Sequence, residues 1–171
     1  GEELGLGEAD VPFDALQDPY GITFWPNFKG RDGCRTPLPW TDAPLAGFTT
    51  GTPWLPIPQD HQAQAVAVQE ADPGSVLSAF RRFLAWRRSQ PVLLTGDIRF
   101  LPSDEPVLLF ERVLGADVVL LAFNLSRDAV RHGLPEGSWQ PIEVPGPDAG
   151  LVDGTELVLP AHAVFAARRI D

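Results

Sequence analysis

Leu16-Gln17-Asp18-Pro19-Tyr20-Gly21-Ile22-Thr23-Phe24-Trp25-Pro26, followed by Gly30-Arg31-Asp32-Gly33-Cys34-Arg35-Thr36-Pro37-Leu38-Pro39-Trp40, decides how this chain is read. Pro19, Pro26, Pro37 and Pro39 punctuate it too often for a long helix. Yet it also carries Tyr20, Phe24, Trp25 and Trp40, large rings that a flexible linker would not hold. The same texture runs from residue 1 to about 71, with further prolines at Pro44, Pro53, Pro56 and Pro58 and rings at Phe13, Phe28, Phe48 and Trp54. The stretch therefore reads as a long ordered loop that packs against something. Ordered loops of this length are usually functional.

Beyond the loop the texture changes twice. Asp72 is a good N-cap, and Pro73 suits the first helical position. Val76, Leu77, Phe80, Phe83 and Leu84 follow at 3–4 spacing, which predicts an amphipathic helix with one buried face. Arg87 and Arg88 fall in its last turn, where they complement the dipole, and Pro91 ends it. From about Pro91 the chain reads as β. Val107–Arg112 and Asp117–Asn124 flank a short turn at Gly115-Ala116 and predict a hairpin. Shorter strands are expected at Ile98–Leu101, Ala129–His132, Trp139–Val144, Glu156–Leu159 and Ala163–Arg168. Turn residues at 135–137, 145–147 and 153–154 separate several of them. Strands at such spacing predict a sandwich-like domain. Helix and sheet are segregated along the chain, so the class is α+β.

Composition narrows the function. The 171 residues allow one ordinary domain or two small ones, and a hydrophobic content of 44% excludes wholesale disorder. The net charge of −10 argues against nucleic-acid binding, because the arginines at 81–82 and 87–88 sit in a helix of an acidic chain. No apolar run reaches the ~20 residues that span a bilayer. With one cysteine, Cys34, an internal disulfide and a thiolate zinc site are excluded. A reducing, cytoplasmic setting fits. No signal peptide opens the sequence; it starts without Met and contains none, as a piece cut from a longer protein would.

The blocks quoted at the outset resemble bacterial α-glucosidases of glycoside hydrolase family 13, the α-amylase superfamily that includes oligo-1,6-glucosidases. In these, the loop after the eighth barrel strand carries an Arg-Asp-x-x-Arg-Thr-Pro-x-x-Trp motif, here Arg31, Asp32, Arg35, Thr36, Pro37 and Trp40. The opening from Gly1 to Leu6 is similar to the segment just after that strand. Ala46-Gly47-Phe48-Thr49-Thr50 and Pro53-Trp54-Leu55 match the next blocks. Asp72-Pro73, Ser75, Phe80-Arg81 and Arg87-Arg88 match the last barrel helix. The similarity runs in register to about residue 101 and then thins to pattern.

The resemblance implies the end of a (β/α)8 TIM barrel over residues 1–92, comprising the long eighth βα loop and the last helix. A C-terminal antiparallel β-sandwich domain would follow over 93–171. Barrel active sites are built from the βα loops. The implied activity is hydrolysis of short α-glucosides with retention, by an exo-acting enzyme, with possible transglucosylation. The catalytic carboxylates of the family follow strands four, five and seven, so none is expected here, and this chain alone is expected to be inactive. Glu2 and Glu3 read as structural residues of the loop start.

Within the resemblance, Arg35 is the substrate-binding candidate, reaching the non-reducing glucose near its 4-hydroxyl in the −1 subsite. A guanidinium offers five donors in a rigid fork and is always charged, which suits paired hydroxyls. The plain alternative is a buried Arg–Asp pair that only shapes the loop, and the aspartate that the resemblance pairs with Arg35 belongs to the first part of the barrel, upstream of this chain. Arg31 and Asp32 fit a supporting role, pinning the loop through ion pairs or turn hydrogen bonds, and Tyr20 is a candidate for a hydrogen bond behind the substrate. Phe24, Trp25 and Trp40 read as packing rings rather than sugar platforms. His61, His132 and His162 form no metal-ligand pattern, and Cys34 has no histidine partner in sequence reach, so neither a metal nor a nucleophile is expected. Asn124-Leu125-Ser126 is a glycosylation sequon by spelling only. No cofactor is implied. The expected partners are an α-glucoside or α-linked glucose oligosaccharide and the remainder of the barrel. Trehalose synthases and sucrose-active relatives share the Arg-Thr-Pro block and form one rival reading. A non-catalytic carbohydrate-binding or structural β module forms the other.

Overall fold

A computed structural model describes residues 1–171. The chain divides into two compact units, Gly1–Phe80 and Arg81–Asp171.

In the first unit, 3-10 turns at Glu2–Leu4, Phe13–Ala15, Asp32–Cys34 and Pro44–Gly47 alternate with three short helices: α1 (Pro19–Phe24), α2 (Gln59–Ala63) and α3 (Val66–Glu70). Its apolar cluster is small: Val11, Leu16 and Leu55 are buried, and Trp25 packs against them. Buried polar side chains do much of the remaining work. The Gln69 amide donates to the carbonyls of Leu4 and Gln64 at 2.8 and 3.0 Å, while its oxygen accepts from the Leu77 amide at 2.9 Å. One side chain thus joins segments 65 residues apart. Leu45 and Ala46 sit at φ of 59° and 52°, a left-handed backbone that costs about 1–2 kcal/mol per non-glycine residue. The Ala46 carbonyl accepts from both Trp40 and Thr41, at 2.8 and 3.0 Å, which offsets that cost.

The unit boundary falls inside α4 (Val76–Arg88). This helix starts later than Asp72 predicts. Ser75 Oγ accepts from the Ser78 amide at 3.2 Å, so Ser75 caps it, while Asp72 closes a tight turn on the Gly74 amide at 2.8 Å. Of the predicted apolar stripe only Leu77 is buried; Phe80, Phe83 and Leu84 are half covered and Val76 is exposed. Pro91 does not merely stop α4 but opens α5 (Pro91–Thr95) at its first position. No helix is long and apolar enough to cross a membrane.

The second unit is dominated by antiparallel sheet. Its strands are β1 (Asp97–Phe100), β2 (Val107–Leu114), β3 (Asp117–Asn124), β4 (Val130–Gly133), β5 (Trp139–Pro141), β6 (Leu151–Asp153), β7 (Glu156–Leu159) and β8 (Val164–Arg169). Five form a sheet in the order β1-β2-β3-β8-β5, and three a second in the order β4-β7-β6. The predicted hairpin is present, in register from Val107↔Asn124 to Leu114↔Asp117. Gly115, at φ of 60°, supplies the left-handed turn residue a two-residue loop demands. β6 was not anticipated; it is three exposed residues long.

Val107, Leu109, Leu120, Ala122, Phe165 and Ala167 from the larger sheet bury against Leu157 and Leu159 from the smaller one. Each fully buried leucine contributes about 1.5–3 kcal/mol. The opposite face of the larger sheet buries Val119, Leu121 and Ala166 against Val92 and Leu93 of α5.

Candidate substrate-binding site at the Arg35 turn

Asp18 and Asp32 organise the candidate site. Asp18 caps α1: its Oδ1 accepts from the Tyr20 amide at 2.9 Å, and Pro19 occupies the first helical position. Its other oxygen accepts from the Arg31 amide, also at 2.9 Å. Asp32 is fully buried, and its Oδ2 accepts from the amides of Gln17 and Asp18 at 2.6 and 2.7 Å. The two carboxylates therefore lace the Gln17–Tyr20 segment to the Arg31–Cys34 turn. Gly33 lets the same turn lie close against the loop start: a Cβ there would lie 2.3 Å from the Ala9 carbonyl oxygen.

Arg35 ends the turn, its amide donating to the Asp32 carbonyl at 2.9 Å. Its Nη1 lies 3.5 Å from Asp18 Oδ2 and 3.8 Å from Asp32 Oδ1, and its side chain remains 45% exposed. Both separations exceed the ~2.7–2.9 Å of a charge-assisted hydrogen bond. The carboxylates hold the guanidinium by charge without saturating its donors. Asp32 Oδ1 is buried with no hydrogen-bond partner, so Arg35 is the counter-charge nearest to it. The Asp18 carboxyl is held below the usual aspartate range, first by the Arg31 amide, then by the Tyr20 amide. Desolvation opposes the shift, and the Gly21 amide and the Arg35 charge add to it.

The other sequence candidates take distinct places. Asp32 lies in the cluster through its side chain. Arg31 enters it through its backbone amide, and its side chain is exposed. Tyr20 gives its amide to Asp18, but its ring is 67% exposed and stacks on Phe24 at a centroid distance of 6.2 Å. Trp25 packs on Phe13 at 5.6 Å, whereas Phe24 and Trp40 are half exposed. Cys34 is exposed and free. Sequence reasoning missed Asp18 as the partner of Arg35. The only local signal for it is the aspartate–proline pair that starts α1. His61, one of the histidines that form no metal-ligand pattern, is buried with both ring nitrogens partnered, by Gly7 and Thr36.

Residues 1–96 match the model of the α-amylase catalytic domain, and the chain belongs to that family. It is 49% identical over 168 residues to a probable α-glucosidase of Rhizobium meliloti (strain 1021), a match covering 98% of this chain and 30% of that protein. Its fold is similar to that of an α-glucosyl transfer enzyme of known crystal structure, at 60% identity and a TM-score of 0.94, over 99% of this chain and 32% of the other. The trehalulose synthase of Pseudomonas mesoacidophila MX-45 matches at 26% identity and a TM-score of 0.80, over 98% of this chain and 34% of that one. The chain thus spans about a third of the length of these relatives.

Proposed function

We propose that the chain is the closing part of an exo-acting, cytoplasmic α-glucosidase that cleaves short α-glucosides with retention. Residues 1–92 complete a (β/α)8 barrel as its eighth βα loop and last helix, and residues 93–171 form a β-sandwich. The remainder of the barrel supplies the nucleophile and the acid/base carboxyl. The half-covered stripe of α4 supports this reading, because an amphipathic helix normally buries its apolar face. Arg35 forms one wall of the glucose pocket and donates to the hydroxyls of the non-reducing unit. The observation that carries this role is a guanidinium held between two carboxylates at 3.5 and 3.8 Å yet 45% exposed, oriented with donors to spare. Arg31, Asp32 and Tyr20 support it from behind.

The test is Arg35→Ala in the full-length protein, assayed on a 4-nitrophenyl α-glucoside. Loss of hydrogen bonds from a charged donor predicts a fall in kcat/KM of about 10- to 100-fold with little change in melting temperature. A near-normal kcat/KM defeats the role. The isolated 171-residue chain releases no 4-nitrophenol at enzyme-like rates; release would defeat the assignment of chemistry to the rest of the protein.

A second reading is favoured by the 60% identity to an α-glucosyl transfer enzyme. The glucosyl–enzyme intermediate would then pass to an acceptor hydroxyl in place of water. Product analysis with an added alcohol distinguishes the two: a dominant α-glucoside of the alcohol marks transfer, free glucose marks hydrolysis.

A further inference from the structure

His61 lies in the middle of α2, only 2% exposed, with both ring nitrogens engaged. Its Nε2 is 2.9 Å from the Gly7 carbonyl oxygen, and its Nδ1 is 3.3 Å from Thr36 Oγ1. A carbonyl can only accept, so Nε2 carries the proton and donates. In the neutral ring Nδ1 is then an acceptor, and the Thr36 hydroxyl donates to it. The tautomer follows from the Gly7 partner, and with it the direction of the Thr36 hydrogen bond.

Thr36 follows Arg35 directly, and the peptide between them is one rigid plane. Upstream, the Arg35 amide is fixed to the Asp32 carbonyl at 2.9 Å. Downstream, the next fixed point is the Thr36 hydroxyl on His61. The imidazole reaches 25 residues back to Thr36 and 54 back to Gly7, so it ties the turn to the start of the loop. This matters because the Arg35 side chain is half exposed and its two carboxylate contacts are long. A backbone free to pivot on the Thr36 side would let the guanidinium swing.

We propose that His61 is a positioning residue for Arg35, acting through the Thr36 hydroxyl to aim the guanidinium at the non-reducing glucose of an α-glucoside. The inference rests on the reading of Arg35 as a glucose contact. His61 itself touches no substrate.

The experiment uses the full-length protein and a 4-nitrophenyl α-glucoside. Thr36→Val keeps the shape and removes the hydroxyl. It lowers kcat/KM about 2- to 10-fold, the range of one neutral hydrogen bond. In the Arg35→Ala background the same substitution has no further effect, because the group it positions is gone. Two replacements of the histidine separate aim from stability. His61→Asn sets an amide oxygen near the Nδ1 position and retains the Thr36 acceptor, so it keeps most of kcat/KM while losing melting temperature. His61→Gln sets its NH2 near Nε2 and retains the bond to Gly7, so it keeps more of the melting temperature and loses kcat/KM. The proposal is overturned if Thr36→Val is neutral, or if its effect is undiminished without Arg35. It is also overturned if kcat/KM follows melting temperature across both histidine variants. A normal kcat/KM for Arg35→Ala itself removes the glucose contact first and the positioning role with it, which marks that failure apart from the others.

Discussion

Asp18 Oδ2 lies 3.5 Å from Arg35 Nη1 while the same oxygen accepts the Arg31 amide at 2.9 Å. One carboxylate atom therefore fixes the backbone at the start of the Arg31–Arg35 turn and sets the charge environment at its end. Asp18→Asn preserves size and retains a good capping residue for α1, but it removes the negative charge. The expected outcome is a severalfold loss of kcat/KM in the full-length protein with a smaller loss of melting temperature than Asp18→Ala, which removes the cap too. Steady-state kinetics beside thermal melts of both variants check this. An unchanged kcat/KM for Asp18→Asn, with losses confined to Asp18→Ala, would reduce Asp18 to a cap.

The lowered pKa of Asp18, caused first by the Arg31 and Tyr20 amides, also predicts a pH dependence. A carboxyl whose folded pKa lies below its unfolded value of ~3.9 is protonated first in the unfolded chain as pH falls. Its contribution is thus complete above that ordinary value and disappears as pH drops through the lowered folded value. The melting-temperature advantage of the wild type over Asp18→Asn should be constant from neutral pH to about pH 5 and then narrow. A gap that persists unchanged to pH 3 would remove Asp18 ionisation from the stability of the turn.

Gly33→Ala tests the close packing that brings the turn to the loop start. The added Cβ would stand 2.3 Å from the Ala9 carbonyl oxygen and 2.7 Å from Glu8 Cγ. The Glu8 side chain can move aside, but the Ala9 backbone is itself tied to Gly33, its amide donating to the Gly33 carbonyl at 3.1 Å. Forcing these strands of chain apart costs about 1–3 kcal/mol, as overpacking does, and shifts the Asp32–Arg35 turn. Both stability and kcat/KM should fall. Gly51→Ala, where no atom lies within 4 Å of the new methyl, is the control and should change neither.

The parts of this architecture that were legible in the sequence are those specified locally. The β2–β3 hairpin is written in two apolar runs and a two-residue turn, and α4 in a 3–4 repeat ended by arginines. Its start was misplaced because Asp72 and Ser75 are both good capping residues three positions apart. Only the three-dimensional path shows that Asp72 spends its oxygen on Gly74. The Arg35 motif was legible by resemblance, but its neighbours were not. Asp18 meets Arg31 across 13 residues, and His61 meets Thr36 across 25 and Gly7 across 54. No periodicity records such pairings. A histidine among apolar and polar neighbours reads the same whether it is buried with two partners, like His61, or exposed, like His162.

Glu111 offers a test within the sheet unit. It is 1% exposed, on the inward face of β2 after Val107 and Leu109. Arg99, directly opposite on β1, donates to Oε2 from Nε at 2.8 Å and also from Nη2. Arg169 approaches Oε1 at 3.5 Å while its guanidinium lies 4.7 Å from the centre of the Trp139 ring. Two arginines thus neutralise one buried carboxylate, one at each oxygen. Removing either leaves the other, so Arg99→Ala and Arg169→Ala should each cost about 1–2 kcal/mol. Removing both leaves a buried charge uncompensated, which costs about 3–5 kcal/mol, more than the two single losses together. Glu111→Leu should be milder than the double variant, because the partly exposed arginines regain water and leucine extends the apolar row. Thermal unfolding of the four variants in the full-length protein decides it. If the double variant loses no more than the sum of the singles, water already shares the neutralisation of Glu111.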